Sequence, residues 1–94
     1  MPLFALMCLD KPDGLELRMA TRERHLAYVR ENAAKVRLAG PILDDADQMA
    51  GSFFILDVPD KAAAEAFNAE DPYTQAGVFE AVTLRHFKAT LGQI

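Results

Sequence analysis

Cysteine is nearly absent: Cys8 is the single one in 94 residues. That excludes an internal disulfide and fits a reducing compartment. Nor is there a block of Lys or Arg, and the formal net charge is −4. A nucleic-acid partner is therefore not expected. No apolar run is long enough to cross a bilayer. The apolar opening Leu3-Phe4-Ala5-Leu6-Met7-Cys8-Leu9 has no basic region before it and no small-residue cleavage site after it. Asp10-Lys11-Pro12-Asp13-Gly14 cuts it off, so it does not read as a signal peptide. The expectation is a cytoplasmic protein with no membrane partner. Phosphate loops, nucleophile elbows and Cys/His clusters at metal-ligand spacing are also missing. No metal and no cofactor is expected. Repeats, low-complexity segments and long linkers are lacking as well.

What is present is apolar: 51% of the residues are hydrophobic. A chain of this length reads as one domain, residues 1–94, with a modest core. Part of its apolar surface is expected to face another copy.

The order of elements is legible from periodicity. Leu3 to Leu9 is apolar on both faces and reads as a buried central strand. A turn over residues 10–14 leads into a helix from about Leu15. Leu26, Val29, Ala33 and Val36 form its apolar stripe, opposite Arg30, Glu31, Lys35 and Arg37. Gly40 is expected to stop that helix, and Pro41 to prevent its continuation. Ile42-Leu43 reads as a short strand, and Asp44-Asp45-Ala46-Asp47 as an acidic loop reaching to about Gly51. Phe53 to Val58 is strongly β-prone. Asp60 is placed to cap a helix over Lys61–Glu70, with Ala63, Ala66 and Phe67 inward. Asp71-Pro72 starts a short helix that ends near Gly77. Val78 to Lys88 alternates as a last strand. The sum is β-α-β-β-α-β: an α+β, ferredoxin-like domain with a four-stranded antiparallel sheet and its helices on one face.

The bare sheet face calls for a cover, and a second copy of the sheet is the simplest one. A homodimer or higher homo-oligomer is the expected assembly.

For chemistry, one pair of fragments stands out: His25, in Arg22-Glu23-Arg24-His25-Leu26, and Asp71, in Asp71-Pro72-Tyr73. Carboxylate plus imidazole is the smallest acid/base apparatus a domain of this size can carry. Each also has a plainer reading. His25 flanks the apolar stripe and fits a structural histidine; Asp71 fits a helix N-cap. A cap can still offer an oxygen to an imidazole, so the readings are compatible. Arg22 lies one turn before His25. It is placed either to grip a substrate carboxylate or to remain a solvated arginine. Tyr73 is a cleft-lining donor or a half-buried aromatic. Ser52 is positioned to line a pocket, though no base for nucleophilic work accompanies it. Cys8 and the phenylalanines Phe53, Phe54, Phe79 and Phe87 read as core and interface, and His86 as a residue near the dimer surface.

Taken in order and spacing, Arg22-x-x-His25-Leu26, Ala39-Gly40-Pro41 at the expected helix end, Gly51, Asp71-Pro72-Tyr73 and Ala76-Gly77-Val78-Phe79 resemble the YciI-like proteins. These are small bacterial members of the dimeric α/β-barrel superfamily. The resemblance covers nearly the whole chain. It implies a ferredoxin-like protomer that dimerises sheet to sheet, and a cleft holding a His/Asp pair, matched here by His25 and Asp71. Most members lack a known reaction. A related member removes chloride from a chlorinated hydroxyhydroquinone, and muconolactone isomerase is a more distant structural relative. The short acidic segment from Asp44 to Ala50 falls where the family varies.

A carboxylate on one ring nitrogen fixes the imidazole tautomer and leaves the other nitrogen to act as base. Such a base supplies about 10²- to 10⁴-fold in rate, enough for an already activated molecule. The expected function is a cofactor-free lyase or isomerase acting on an enolisable or (halo)hydroxyaromatic small molecule. His25 and Asp71 are its catalytic candidates, and Arg22, Tyr73 and Ser52 its substrate-binding candidates. The alternative is a non-catalytic dimer that binds a small metabolite.

Overall fold

A computed structural model describes residues 2–94. Its elements are β1 (Leu3–Asp10), α1 (Leu15–Glu31), β2 (Val36–Leu43), β3 (Met49–Asp57), α2 (Lys61–Glu70), α3 (Pro72–Ala76) and β4 (Phe79–Phe87). A 3-10 turn at Ala33–Lys35 joins α1 to β2. The strands form one sheet in the order β2-β3-β1-β4, every neighbouring pair antiparallel. This is the ferredoxin-like arrangement expected from the pattern.

The first helix is shorter than its periodicity suggests. It ends at Glu31, not at Gly40. Asn32 is the stop: its backbone N–H donates to Tyr28 O and Val29 O, and its side-chain Nδ2 donates to Tyr28 O as well. These bonds satisfy carbonyls that the helix end leaves open. Val36 therefore belongs to a strand, and β2 runs over eight residues rather than over Ile42-Leu43 alone. Ala39-Gly40-Pro41 lies inside that strand, not at a helix end. Proline is tolerated there because β2 is an edge strand, so its missing N–H breaks no inner ladder.

Gly51 also lies within a strand, β3, rather than closing the acidic loop. A Cβ there would sit 2.5 Å from Cys8 O, so only glycine lets β1 and β3 approach at this point. On α2, Ala64 and Phe67 are the buried residues and Ala66 is exposed, contrary to the stripe read from sequence. Asp60 does cap α2, its side chain accepting from Ala63 N at 2.8 Å. Gly77 ends α3 at φ +79°, a left-handed position that suits glycine.

Along β1, Phe4, Leu6 and Cys8 point to the helices. They pack with Phe54, Leu56, Val58, Ala64 and Phe67 as the core. His86 lies on this same side, stacked on Phe4 with ring centroids 4.9 Å apart, rather than on the bare face. The opposite face carries Met7 and Leu9 of β1, Leu38 of β2 and Phe87 of β4, all exposed.

Candidate functional site

The inward face of α1 is polar. Arg18, Thr21 and His25 are its buried residues, spaced by three and four along the helix. Thr21 disposes of its hydroxyl within the helix, donating to Leu17 O. Arg18 and His25 find partners on other elements.

His25 Nδ1 lies 2.8 Å from Asp71 Oδ1. The same oxygen accepts the backbone N–H of Tyr73 at 2.9 Å and so starts α3. With that oxygen already accepting an amide proton, the arrangement suits an Nδ1–H that donates to it. In the neutral imidazole that tautomer leaves the lone pair on Nε2. Asp71 is wholly buried, and its Oδ2 has no partner among the described residues. Buried carboxylate oxygens are usually hydrogen-bonded, so this one is an exception within the site.

Tyr73 packs flat on His25, with ring centroids 3.9 Å apart and 16° between planes. The guanidinium of Arg18 sits over the same tyrosine ring, 4.3 Å from its centroid. Burial pushes the Tyr73 phenol above its ordinary pKa, against the pull of Arg18 and Arg22. Arg18 is itself 2% exposed. Its Nε and Nη2 donate to the two oxygens of Asp10 at 2.7 and 2.9 Å, and Nη2 also donates to Ser52 Oγ at 2.9 Å. Burial works against that charge, and the hydrogen-bonded Asp10 carboxylate outweighs it, raising the Arg18 pKa above its ordinary value. Cys8, buried in the core, has its thiol pushed up to about 12. Burial is the main cause and the Asp71 carboxylate the second.

These side chains meet at a cavity of about 240 Å³ between α1 and the β2–β3 half of the sheet. His25, Tyr73, Ser52, Arg18 and Arg22 supply its polar lining. Leu26, Val29, Met49, Phe54 and the Ala39-Gly40-Pro41 stretch supply the rest. All the candidates named from sequence line it except Asp71, which lies behind His25. Arg22 is exposed and makes no ion pair among the described residues. Arg18 and Asp10 escaped sequence reasoning. Arg18 falls two turns before His25 on one helix face, a spacing that could have flagged it. Asp10 read only as a turn residue. No three His, Cys, Asp or Glu side chains converge as a metal site among the described residues.

Fold and cavity together define a small ferredoxin-like α+β domain in which a histidine backed by a buried carboxylate lines a half-open, mostly apolar cavity. The chain belongs to the YCII-related domain family, whose match spans residues 2–88. It is 37% identical over 93 residues to an uncharacterised protein of Haemophilus influenzae, covering 90% of this chain and 95% of that one. It is 35% identical over 94 residues to Protein YciI of Escherichia coli, covering 92% and 96%. Among solved structures it is similar to the 5-chloro-2-hydroxyhydroquinone dehydrochlorinase of Burkholderia phenoliruptrix in complex with 2,5-dihydroxybenzoquinone. The TM-score is 0.85 at 33% identity, over 92% of this chain and 93% of the other. An antibiotic biosynthesis monooxygenase shares the fold at TM-score 0.57 and 16% identity, covering 97% of this chain and all of that one. Among the described residues, no helix is long and apolar enough to cross a membrane.

Proposed function

We propose that this protein is a small-molecule lyase or isomerase in which His25 moves a proton and Asp71 orients it. The observation that carries this reading is the division of the imidazole. Nδ1 is committed to Asp71, while Nε2 has no protein partner among the described residues and His25 lines the cavity. Geometry of that kind suits a general base.

The substrate proposed is a single-ring or lactone molecule with an enolisable or phenolic position. The cavity volume and its apolar walls fit such a ring. The similarity to a dehydrochlorinase that acts on a chlorinated hydroxyhydroquinone supports the same substrate class. His25 takes the proton from oxygen or carbon, electron density moves into the ring or carbonyl, and a leaving group departs or the proton returns elsewhere. Tyr73 holds the imidazole plane by stacking, and Arg22 offers a charge to an anionic substituent. A cytoplasmic homodimer built sheet to sheet is part of the proposal, since Met7, Leu9, Leu38 and Phe87 expose a shared apolar face.

The test is a turnover screen. Purified protein is incubated with chlorinated hydroxyhydroquinones, hydroxyquinones and unsaturated lactones, followed by ultraviolet absorbance and chloride release. Turnover that disappears in His25→Ala supports the reading. Tight binding of these molecules with no turnover favours a metabolite-binding protein instead.

A further inference from the structure

Ser52 occupies an unusual chemical position. Its Oγ accepts a hydrogen bond from Arg18 Nη2 at 2.9 Å, and no bond donated by its hydroxyl is found among the described residues. The residue is 2% exposed and lines the same cavity as His25. A hydroxyl has one proton to give and two lone pairs. An arginine can only donate, so it takes a lone pair and leaves the proton for another acceptor. It also polarises the O–H bond, because linked hydrogen bonds strengthen one another in a low-dielectric interior. Arg18 does not turn at will: both Asp10 oxygens clamp its planar fork.

We infer that Ser52 is an oxyanion-holding donor, set in place by Asp10 and Arg18, for the carbonyl, enolate or phenolate oxygen of the ligand. The inference rests on reading the cavity as the ligand site. When His25 removes a proton from carbon, the C–H electron pair becomes a C=C bond. The carbonyl π pair then moves onto oxygen, and the proton ends on Nε2. Negative charge therefore grows on an oxygen, which Ser52 is free to meet. Donors preset toward developing charge cost no reorganisation at the moment of reaction. Arg18 and Asp10 act through Ser52 and are positioning residues. The exposed Arg22 adds a salt-screened charge; Ser52 adds a short-range bond, which salt leaves largely intact.

The probe is 4-nitrophenol, whose phenolate is coloured, with nitrobenzene as its neutral counterpart. Absorbance titration against pH, in the presence of the protein, gives the preference for phenolate over phenol in the cavity. The wild-type protein is expected to favour phenolate at least tenfold. Ser52→Ala should lose about 10- to 100-fold of that preference, the usual worth of a hydrogen bond to a charged oxygen, with nitrobenzene affinity unchanged. Ser52→Thr, which keeps the hydroxyl, should restore most of it, and Arg18→Lys, which breaks the fork, should lose part of it. If Ser52→Ala does not fold, Ser52→Cys reads the same quantity, since a thiol is a weak donor. Nitrobenzene binding with no phenolate preference, or a preference that survives the loss of the hydroxyl, would overturn the donor role and leave the cavity reading standing. Failure of both probes to bind would overturn the cavity reading and this inference with it.

Discussion

Asp71 holds His25 with the same carboxylate oxygen that starts helix α3. The start of α3 and the orientation of the imidazole thus share one atom. Substitutions at Asp71 separate the two roles.

Asp71→Ala removes both. Loss of the cap alone should cost about 0.5–2 kcal/mol, and the imidazole loses its orienting partner. Asp71→Asn keeps an oxygen that can accept from Tyr73 N and still holds the ring, so folding should be nearly preserved. Urea denaturation of the two variants checks this; equal destabilisation would show that the cap is not what Asp71 contributes.

The pair Asp10 and Arg18 should behave as a unit. Arg18→Met strands the Asp10 carboxylate and the Ser52 hydroxyl, and should cost about 3–5 kcal/mol. Replacing both members with apolar residues should cost clearly less than the sum of the single changes. A double-mutant cycle by denaturant melts measures the difference; strict additivity would mean that the two do not interact in solution.

Much of the fold was legible. The apolar run of β1, the β-prone run of β3, the alternation of β4 and the signals Asp60, Asp71-Pro72 and Gly77 marked their elements. The end of α1 was not. Ala33 and Val36 continue the helical period by accident, while the true stop, Asn32, works through hydrogen bonds to Tyr28 and Val29 that no hydropathy pattern contains. The site was half legible for the same reason. His25 and Asp71 carry chemistry in their side-chain types, and so did Arg22, Tyr73 and Ser52. Arg18 did not stand out, because a buried arginine on an inward helix face inverts the rule that charge faces water. Leu17 and Met19 on the same helix are exposed in exchange.

Alkaline pH should destabilise the protein through Cys8. Its folded-state pKa is pushed from 9.0 to about 12, mainly by burial. Between those values the unfolded thiol has lost its proton while the native one keeps it. The stabilising difference is therefore whole below pH 9.0 and is lost as pH rises toward about 12. The slope from one proton is at most about 1.4 kcal/mol per pH unit. Tyr28, pushed up to about 12 first by burial and then by Glu70 and Asp71, adds in the same direction at higher pH. Denaturant melts over this range should show a shallower fall for Cys8→Ala than for the wild type. Iodoacetamide should label Cys8 at pH 8 only as fast as the protein opens; prompt labelling would contradict the burial.

Assembly is tested at the bare face of the sheet. Sedimentation should find a dimer at micromolar concentration. Met7→Lys, placing a charge on that face, should dissociate or unfold it. A stable wild-type monomer at that concentration would remove the sheet-to-sheet proposal.

The central claim is proton transfer by His25, and its most direct measurement is the turnover of a screened substrate by wild type, His25→Ala and Asp71→Asn side by side. The account predicts that His25→Ala lowers kcat by about 10²- to 10⁴-fold with KM much less changed. Asp71→Asn should lose less, because an amide still holds the ring but does not support an imidazolium. Folded variants that both turn over at the wild-type rate would contradict the claim and leave His25 and Asp71 as structural residues.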